Sequence, residues 1–223
     1  MFARLNNRSG AGLGVELLMI IVGINVALWF EGWFEDLRER EAEQQYLGDL
    51  LDDLDSDLEQ LEVVIASNDR KAERLRTIVE TYNDLPSADP QVQARAIFAP
   101  SSYNFFTPAD VTYQSLLESG DFRLISDPDV KKGLLRLSRL WDSIETLQNN
   151  FLQALDDGYI PRMMDSFDIV EMKMTDPSLY EDQTFKNFFA YSLQDTAAML
   201  SAYERAAEET RIVRAAIAQS LDN

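Results

Sequence analysis

From Gly12 to Phe34 the chain is almost continuous hydrocarbon, and the strongly polar side chains before Glu31 are Glu16 and Asn25. The run is as long as the roughly 20 apolar residues needed to cross a bilayer core. Eleven of the residues from Val15 to Phe34 are Leu, Ile, Val or Phe. Together they favour insertion by about 5 kcal/mol, more than Glu16 costs near one end of the run. Trp29 and Trp33 stand at the other end, where indoles prefer the interface. A cleaved signal peptide would have a core of roughly 7–15 residues and a small-x-small cleavage site. This core is longer, and Trp29-Phe-Glu-Gly-Trp-Phe34 is not such a site. The pattern predicts an uncleaved transmembrane helix over residues 12–34, after a short tail over 1–11.

Beyond Asp36 polar residues return, and apolar ones recur at helical spacing. Leu47, Leu51, Leu54, Leu58, Leu61, Ile65, Asn68, Ala72, Leu75, Val79 and Tyr82 alternate in steps of four and three, an a/d seam over about five heptads. The register continues back through Leu37 and Trp33 to Gly23 and Glu16, so the span is expected to run on into a helix over 35–83. Leu85-Pro-Ser-Ala-Asp-Pro90 breaks it. A short helix near 91–98 and an irregular aromatic stretch follow. Thr107-Pro108 has the form of an N-cap and first helical residue, predicting a helix over 108–119 that stops at Gly120. The next helix is predicted over 129–165, with seam residues Val130, Leu134, Leu137, Trp141, Ile144, Gln148, Phe151 and Leu155, and with Pro161 as kink or terminator. Alternating Phe167, Ile169, Met172 and Met174 suggest a short strand or lid. The last helix is predicted over 182–218, with Phe189, Leu193, Leu200, Tyr203, Ala207 and Ile217 inward. The expected fold is all-α: an antiparallel helical bundle over 35–223 outside the membrane.

Charge narrows the partners. Against 39 Asp and Glu stand 20 Lys and Arg, a net charge of −19, which argues against nucleic acid and against lying on anionic lipid. There is no Cys and no His, so disulfides, thiolate chemistry, the usual zinc sites and His-based acid–base catalysis are excluded. No cofactor and no catalytic activity are expected. Asp53-x-Asp55-x-Asp57 resembles the start of a calcium loop, but Leu58 stands where glycine is required. The acid cluster over 49–59 therefore reads as a solvated helix face. Asp110 reads as a helix-dipole partner at the third helical position. Tyr103, Phe105, Phe106, Tyr113 and Phe122 read as a core plug at one end of the bundle.

An ionisable residue inside a span is a functional candidate by default, and Glu16 reads as a helix–helix contact, as a carboxylate near the interface paired with Arg8 or water, or as a proton or ion site in an oligomer. Glu16, Ile20, Gly23 and Ala27 share one helical face, and Gly23-x-x-x-Ala27 is a small-x-x-x-small pair that permits close helix approach. Asn25 lies about 180° round the helix from Glu16, which defines a second contact face. Arg4 and Arg8 precede the span, and Arg38 and Arg40 follow it, a tie by the positive-inside count. The short tail without acids favours a cytoplasmic N-terminus and a translocated domain.

The segments Val15-Glu16, Ile21-Val22-Gly23-Ile24, Ala27-Leu28 and Gly32-Trp33-Phe34-Glu35 resemble those of a family of bacterial membrane-anchored proteins known only as a domain of unknown function. So does Tyr113-Gln-Ser-Leu-Leu-Glu-Ser-Gly120 with Leu124-Ile125. This chain departs from that family in having Val15 before the Glu and Gly32 where Asn is usual. The resemblance implies an anchor with a helical domain, and no activity.

The expectation is a single-pass protein of the bacterial inner membrane with a periplasmic bundle. It would act as a non-enzymatic scaffold or accessory subunit. Its partners would be the bilayer and either copies of itself or a larger membrane complex. The contacts would be made by Glu16, Ile20, Gly23, Asn25, Ala27, Trp29 and Trp33. The rivals are a ligand-binding periplasmic bundle and, third, a glycan hydrolase using carboxylates alone.

Overall fold

The computed structural model describes residues 10–222, with the side chains of 10–15 and 17 left out. Most of the tail over 1–11, including Arg4 and Arg8, lies outside the described residues. The fold is all-α. It comprises α1 (Gly10–Glu80), α2 (Pro90–Phe98), α3 (Val111–Ser119), α4 (Pro128–Ala154), α5 (Ile160–Ser166) and α6 (Gln183–Leu221), with a hairpin of β1 (Phe167–Asp168) and β2 (Lys173–Met174) between α5 and α6. The chain divides after Tyr46 into two units, and the bundle belongs to the second.

Three long segments build the bundle core: α1 from Leu47 onward, α4 and α6. Gly133 of α4 faces Val213 of α6, and Phe151 of α4 meets Phe188. These pairings run in opposite directions along the two helices, so α4 and α6 are antiparallel. Asp55 of α1 pairs with Arg214 of α6, and Tyr82, just past the end of α1, packs against Phe189. Here too the order reverses, so α6 is antiparallel to α1 as well, and α1 and α4 run the same way.

A long return makes that parallel pair possible. Residues 102–110 form no helix and run back down α1 as a strap held by its side chains. Asn68 Nδ2 donates to the Asn104 carbonyl at 3.0 Å. The backbone N–H groups of Thr107, Ala109 and Thr112 donate to Gln60 Oε1 (2.6 Å), Asp57 Oδ1 (2.7 Å) and Asp53 Oδ2 (3.1 Å). From the other side Gln148 of α4 donates to the Phe106 carbonyl at 3.0 Å, while Tyr203 of α6 donates to Gln148 Oε1 at 3.2 Å. Phe106 is the buried residue of the strap, and backbone polar groups carried into the core need partners: α1 and α4 side chains supply them, with Tyr203 of α6 holding Gln148.

The strap corrects two expectations. The helix predicted over 108–119 begins at Val111, and residues 107–110 instead follow a non-helical path along α1, tied to it through Thr107 N and Ala109 N. Asp110 occupies the cap position without capping, and accepts from Gln114 Nε2 at 3.0 Å. The acid cluster is also not simply a solvated face, since Asp57 is 1 % exposed.

The α1 seam is correspondingly rotated. Leu47, Leu54, Leu61, Asn68, Leu75 and Tyr82 are buried as expected, but the positions between them are Leu50, Asp57, Val64, Lys71 with Ala72, and Ile78. Leu51, Leu58 and Ile65 are half-buried and Val79 is exposed. The seven seam residues of α4, and Leu155 just after it, are all buried. In α6 the inward face includes Phe185, Phe188, Ser192, Thr196, Met199 and Val213, whereas Leu193 and Leu200 are half-buried.

The segment predicted as one helix over 129–165 is interrupted. A π-turn at Leu155–Tyr159, in which the Ile160 N–H donates to the Leu155 carbonyl, separates α4 from α5. Pro161 lacks an N–H and cannot continue the α ladder, and the i→i+5 turn absorbs the break. Tyr113 packs edge-on against Phe122 and Trp141, and a larger aromatic cluster lies at this turn. Tyr159 stacks between Phe185 and Phe188, with Phe189 edge-on. Of the five aromatics expected as a plug, Phe106 and Tyr113 are buried, and Tyr103 is exposed. α6 begins at Gln183, capped by Asp182, and ends at Leu221. Gly120 closes α3 at a φ of 80°, where glycine is favoured.

Close packing gives a prediction at Gly133. A Cβ built there would stand 2.5 Å from Val213 Cγ2, and a β-branched residue in a helix has little freedom to rotate away. Overpacking costs about 1–3 kcal/mol, more than the ~1 kcal/mol that Ala gains over Gly in a helix. Gly133→Ala is expected to lower the thermal midpoint, and in a Val213→Ala background to raise it. Denaturation of the four proteins of this double-mutant cycle checks both signs.

Candidate functional site

The described part of the first unit is helical, and its large apolar side chains are exposed. From Leu18 to Leu37 the large hydrophobic side chains are all 43–66 % exposed, on every side of the helix. A helix hydrophobic all round belongs in a core or in a bilayer, and no large apolar side chain here is buried. This is the one helix, among the described residues, long and apolar enough to cross a membrane.

The expected site residues all lie on this surface. Glu16, Ile20, Gly23 and Ala27 follow one another at helical spacing, and a Cβ added at Gly23 would meet nothing within 4 Å. That flank admits another helix at close range. Asn25 Nδ2 donates to the Ile21 carbonyl at 2.7 Å, which satisfies one amide hydrogen within the helix and leaves the amide oxygen for a partner. Trp29 and Trp33 are exposed, and each ring leans on the phenylalanine that follows it. A lone helix does not bring the Glu16 face and the Asn25 face together, because they point apart.

In the bundle the charged groups have structural employment. Asp57 holds the strap, Asp53 holds the first turn of α3 at Thr112 N, and Asp55 holds Arg214 through two contacts. The three carboxylates that resembled a calcium loop therefore serve three separate partners. Among the described residues, no group of three or more Asp and Glu side chains is arranged to hold a metal ion.

Two buried charges escaped the sequence reading. Burial pushes the Asp57 carboxyl up to about 6, the Ala109 N–H opposes this, and Asp53 and Asp110 add to it. Lys71 is 6 % exposed, and its Nζ lies 4.4 Å from the centre of the Phe151 ring, a cation–π geometry. Burial pulls its ammonium down to about 8, and Asp195 opposes that shift. Their spacing was the available signal: Asp57, Val64 and Lys71 stand seven residues apart on the face that also carries Leu50 and Ile78.

Compared with family models, with curated proteins and with solved structures, the chain matches none.

Proposed function

We propose that the protein is a single-pass, non-enzymatic scaffold or accessory subunit of the bacterial inner membrane. Its N-terminal tail is cytoplasmic and its helical bundle periplasmic. The reading places it with the membrane-anchored family that its N-terminal motifs resemble. The observation that carries it is the all-round exposed apolar surface of α1, interrupted by Glu16 and Asn25 on opposite faces. Two polar residues on opposite faces are costly to a helix alone in lipid and useful to one surrounded by partners. The absence of His and Cys and the engagement of Asp53, Asp55 and Asp57 in packing support a role without catalysis.

The test is association of the full-length protein in bilayers. Glu16→Leu removes the polar contact, and Gly23→Leu removes the close approach. Each is expected to weaken assembly by about 0.6–2 kcal/mol, read as a loss of cross-linked or co-purifying species with the thermal midpoint of the bundle unchanged. Normal assembly of both variants would refute the reading.

A further inference from the structure

A groove of about 690 Å³ lies between the last turns of α1, the 3₁₀ turn Tyr82–Ser87 and α2. Its floor is apolar, with Ile78, Leu85 and Ala96 almost fully buried, and Val92 stands exposed at its edge. Arg74 and Arg95 both line it, and its lining contains no Asp or Glu. In a chain with 39 acids and 20 bases, an acid-free wall with two guanidinium groups is unexpected. Arg136, Arg162, Arg211 and Arg214 each hold a carboxylate of their own. Arg95, by contrast, reaches only the neutral Gln91 Oε1, at 3.4 Å, and Arg74 has no ion pair among the described residues. The Thr77 and Thr81 hydroxyls at the same wall are occupied by carbonyls of α1, so the arginines are the groove's charged donors. A second groove of about 720 Å³ has the opposite character, lined by Asp55, Glu59, Glu62 and Asp69.

We propose that the groove between α1 and α2 binds a water-soluble amphipathic anion, a carboxylate on a short alkyl or aryl tail. Arg74 and Arg95 hold the carboxylate, and the floor of Ile78, Leu85 and Ala96 takes the tail. The volume is that of a small-molecule site, which pairs apolar walls with a few placed polar groups. Guanidinium groups match a carboxylate in charge and in planar donor geometry. The charge selects the ligand's head, and the dry floor selects against anions without a tail. This binding goes beyond the scaffold role and does not require it.

The test is calorimetric titration of octanoate into the full-length protein in zwitterionic-lipid nanodiscs, with empty nanodiscs subtracted. Octylammonium and acetate serve as the charge-inverted and tail-less probes. Octanoate is expected to bind saturably, and the other two are not. Arg74→Gln combined with Arg95→Gln should weaken octanoate binding by about tenfold or more, as loss of charge-assisted contacts does. Val92→Glu sets an acid at the rim and should act in the same direction. All three positions are exposed, so these changes leave the fold intact, and an unchanged thermal midpoint verifies it. Glu59→Gln with Glu62→Gln, in the acidic groove, should leave binding unchanged. The proposal is overturned if octanoate gives no saturable heat, if octylammonium or acetate binds as well as octanoate, or if the double arginine variant binds like the wild type.

Discussion

Replacing Tyr159 by Ala is expected to cost about 3–5 kcal/mol, the range for truncating a fully buried aromatic. The ring is inaccessible to solvent. Its centre lies 4.9 Å from that of Phe185 and 4.8 Å from that of Phe188 in stacked geometry, with Phe189 edge-on at 5.8 Å. The hydroxyl donates to the Ile97 carbonyl at 2.6 Å, so one side chain ties the π-turn to α6 and to α2. Tyr159→Phe keeps the stack and leaves that carbonyl unsatisfied, for about 1–3 kcal/mol. Denaturant midpoints measured with unchanged m-values separate the two contributions. An Ala variant within about 1 kcal/mol of the wild type would mean that the aromatic cluster is not the anchor of this end of the bundle.

The second large effect is a dependence on pH at Asp57. Its carboxyl titrates near 6 in the folded protein and at the ordinary 3.8 when exposed. Between those values the folded state holds a proton that the unfolded state has released. Stability from this group is therefore fully present below about pH 4 and falls as pH rises toward 6. At ~1.4 kcal/mol per pH unit of separation, the loss approaches about 3 kcal/mol by pH 7. Asp57→Asn keeps an acceptor for the Ala109 N–H and carries no charge. The variant is expected to match the wild type near pH 4 and to exceed it by about 2–3 kcal/mol at pH 7. Parallel denaturation series at the two pH values check this, because carboxylates remote from Asp57 cancel in the difference and the coupling to Asp53 and Asp110 is part of the Asp57 effect. A variant whose advantage does not grow with pH would show that Asp57 is not the buried charge described here.

These two residues also show what was legible in the sequence. The α4 seam reads directly, because its apolar residues and Gln148 keep one register from Val130 to Leu155. The α1 seam is correct at every seventh position and at Ala72, and displaced by one residue at the other positions between them. Choosing Leu58 over Asp57 follows the rule that charge faces water, and the same register then takes Ile65 over Val64. The rule fails where a charge has a buried partner: Asp57 meets the backbone of residue 109, and Lys71 meets the Phe151 ring. Those partners are 52 and 80 residues away in the chain, beyond any periodicity. The same distance hides the strap, since Thr107-Pro108 has good local cap chemistry and the contacts that tie this stretch to α1, through Gln60 and Asp57, are 47 and 52 residues away in the chain. The apolar helix is legible because its signal is local, whereas a partner for its Glu16 and Asn25 faces, as the proposed assembly requires, has no signal within this chain. The Arg74 and Arg95 groove was invisible in sequence, because α2 brings Arg95 beside α1 only after the break at Pro86 and Pro90.

The most direct test of the scaffold account is the native mass of the full-length protein, extracted from its own membrane in mild detergent. The account predicts either a small multiple of the 25.4 kDa chain mass or a larger particle containing other membrane polypeptides. A single 25.4 kDa chain carrying only detergent and lipid would contradict it.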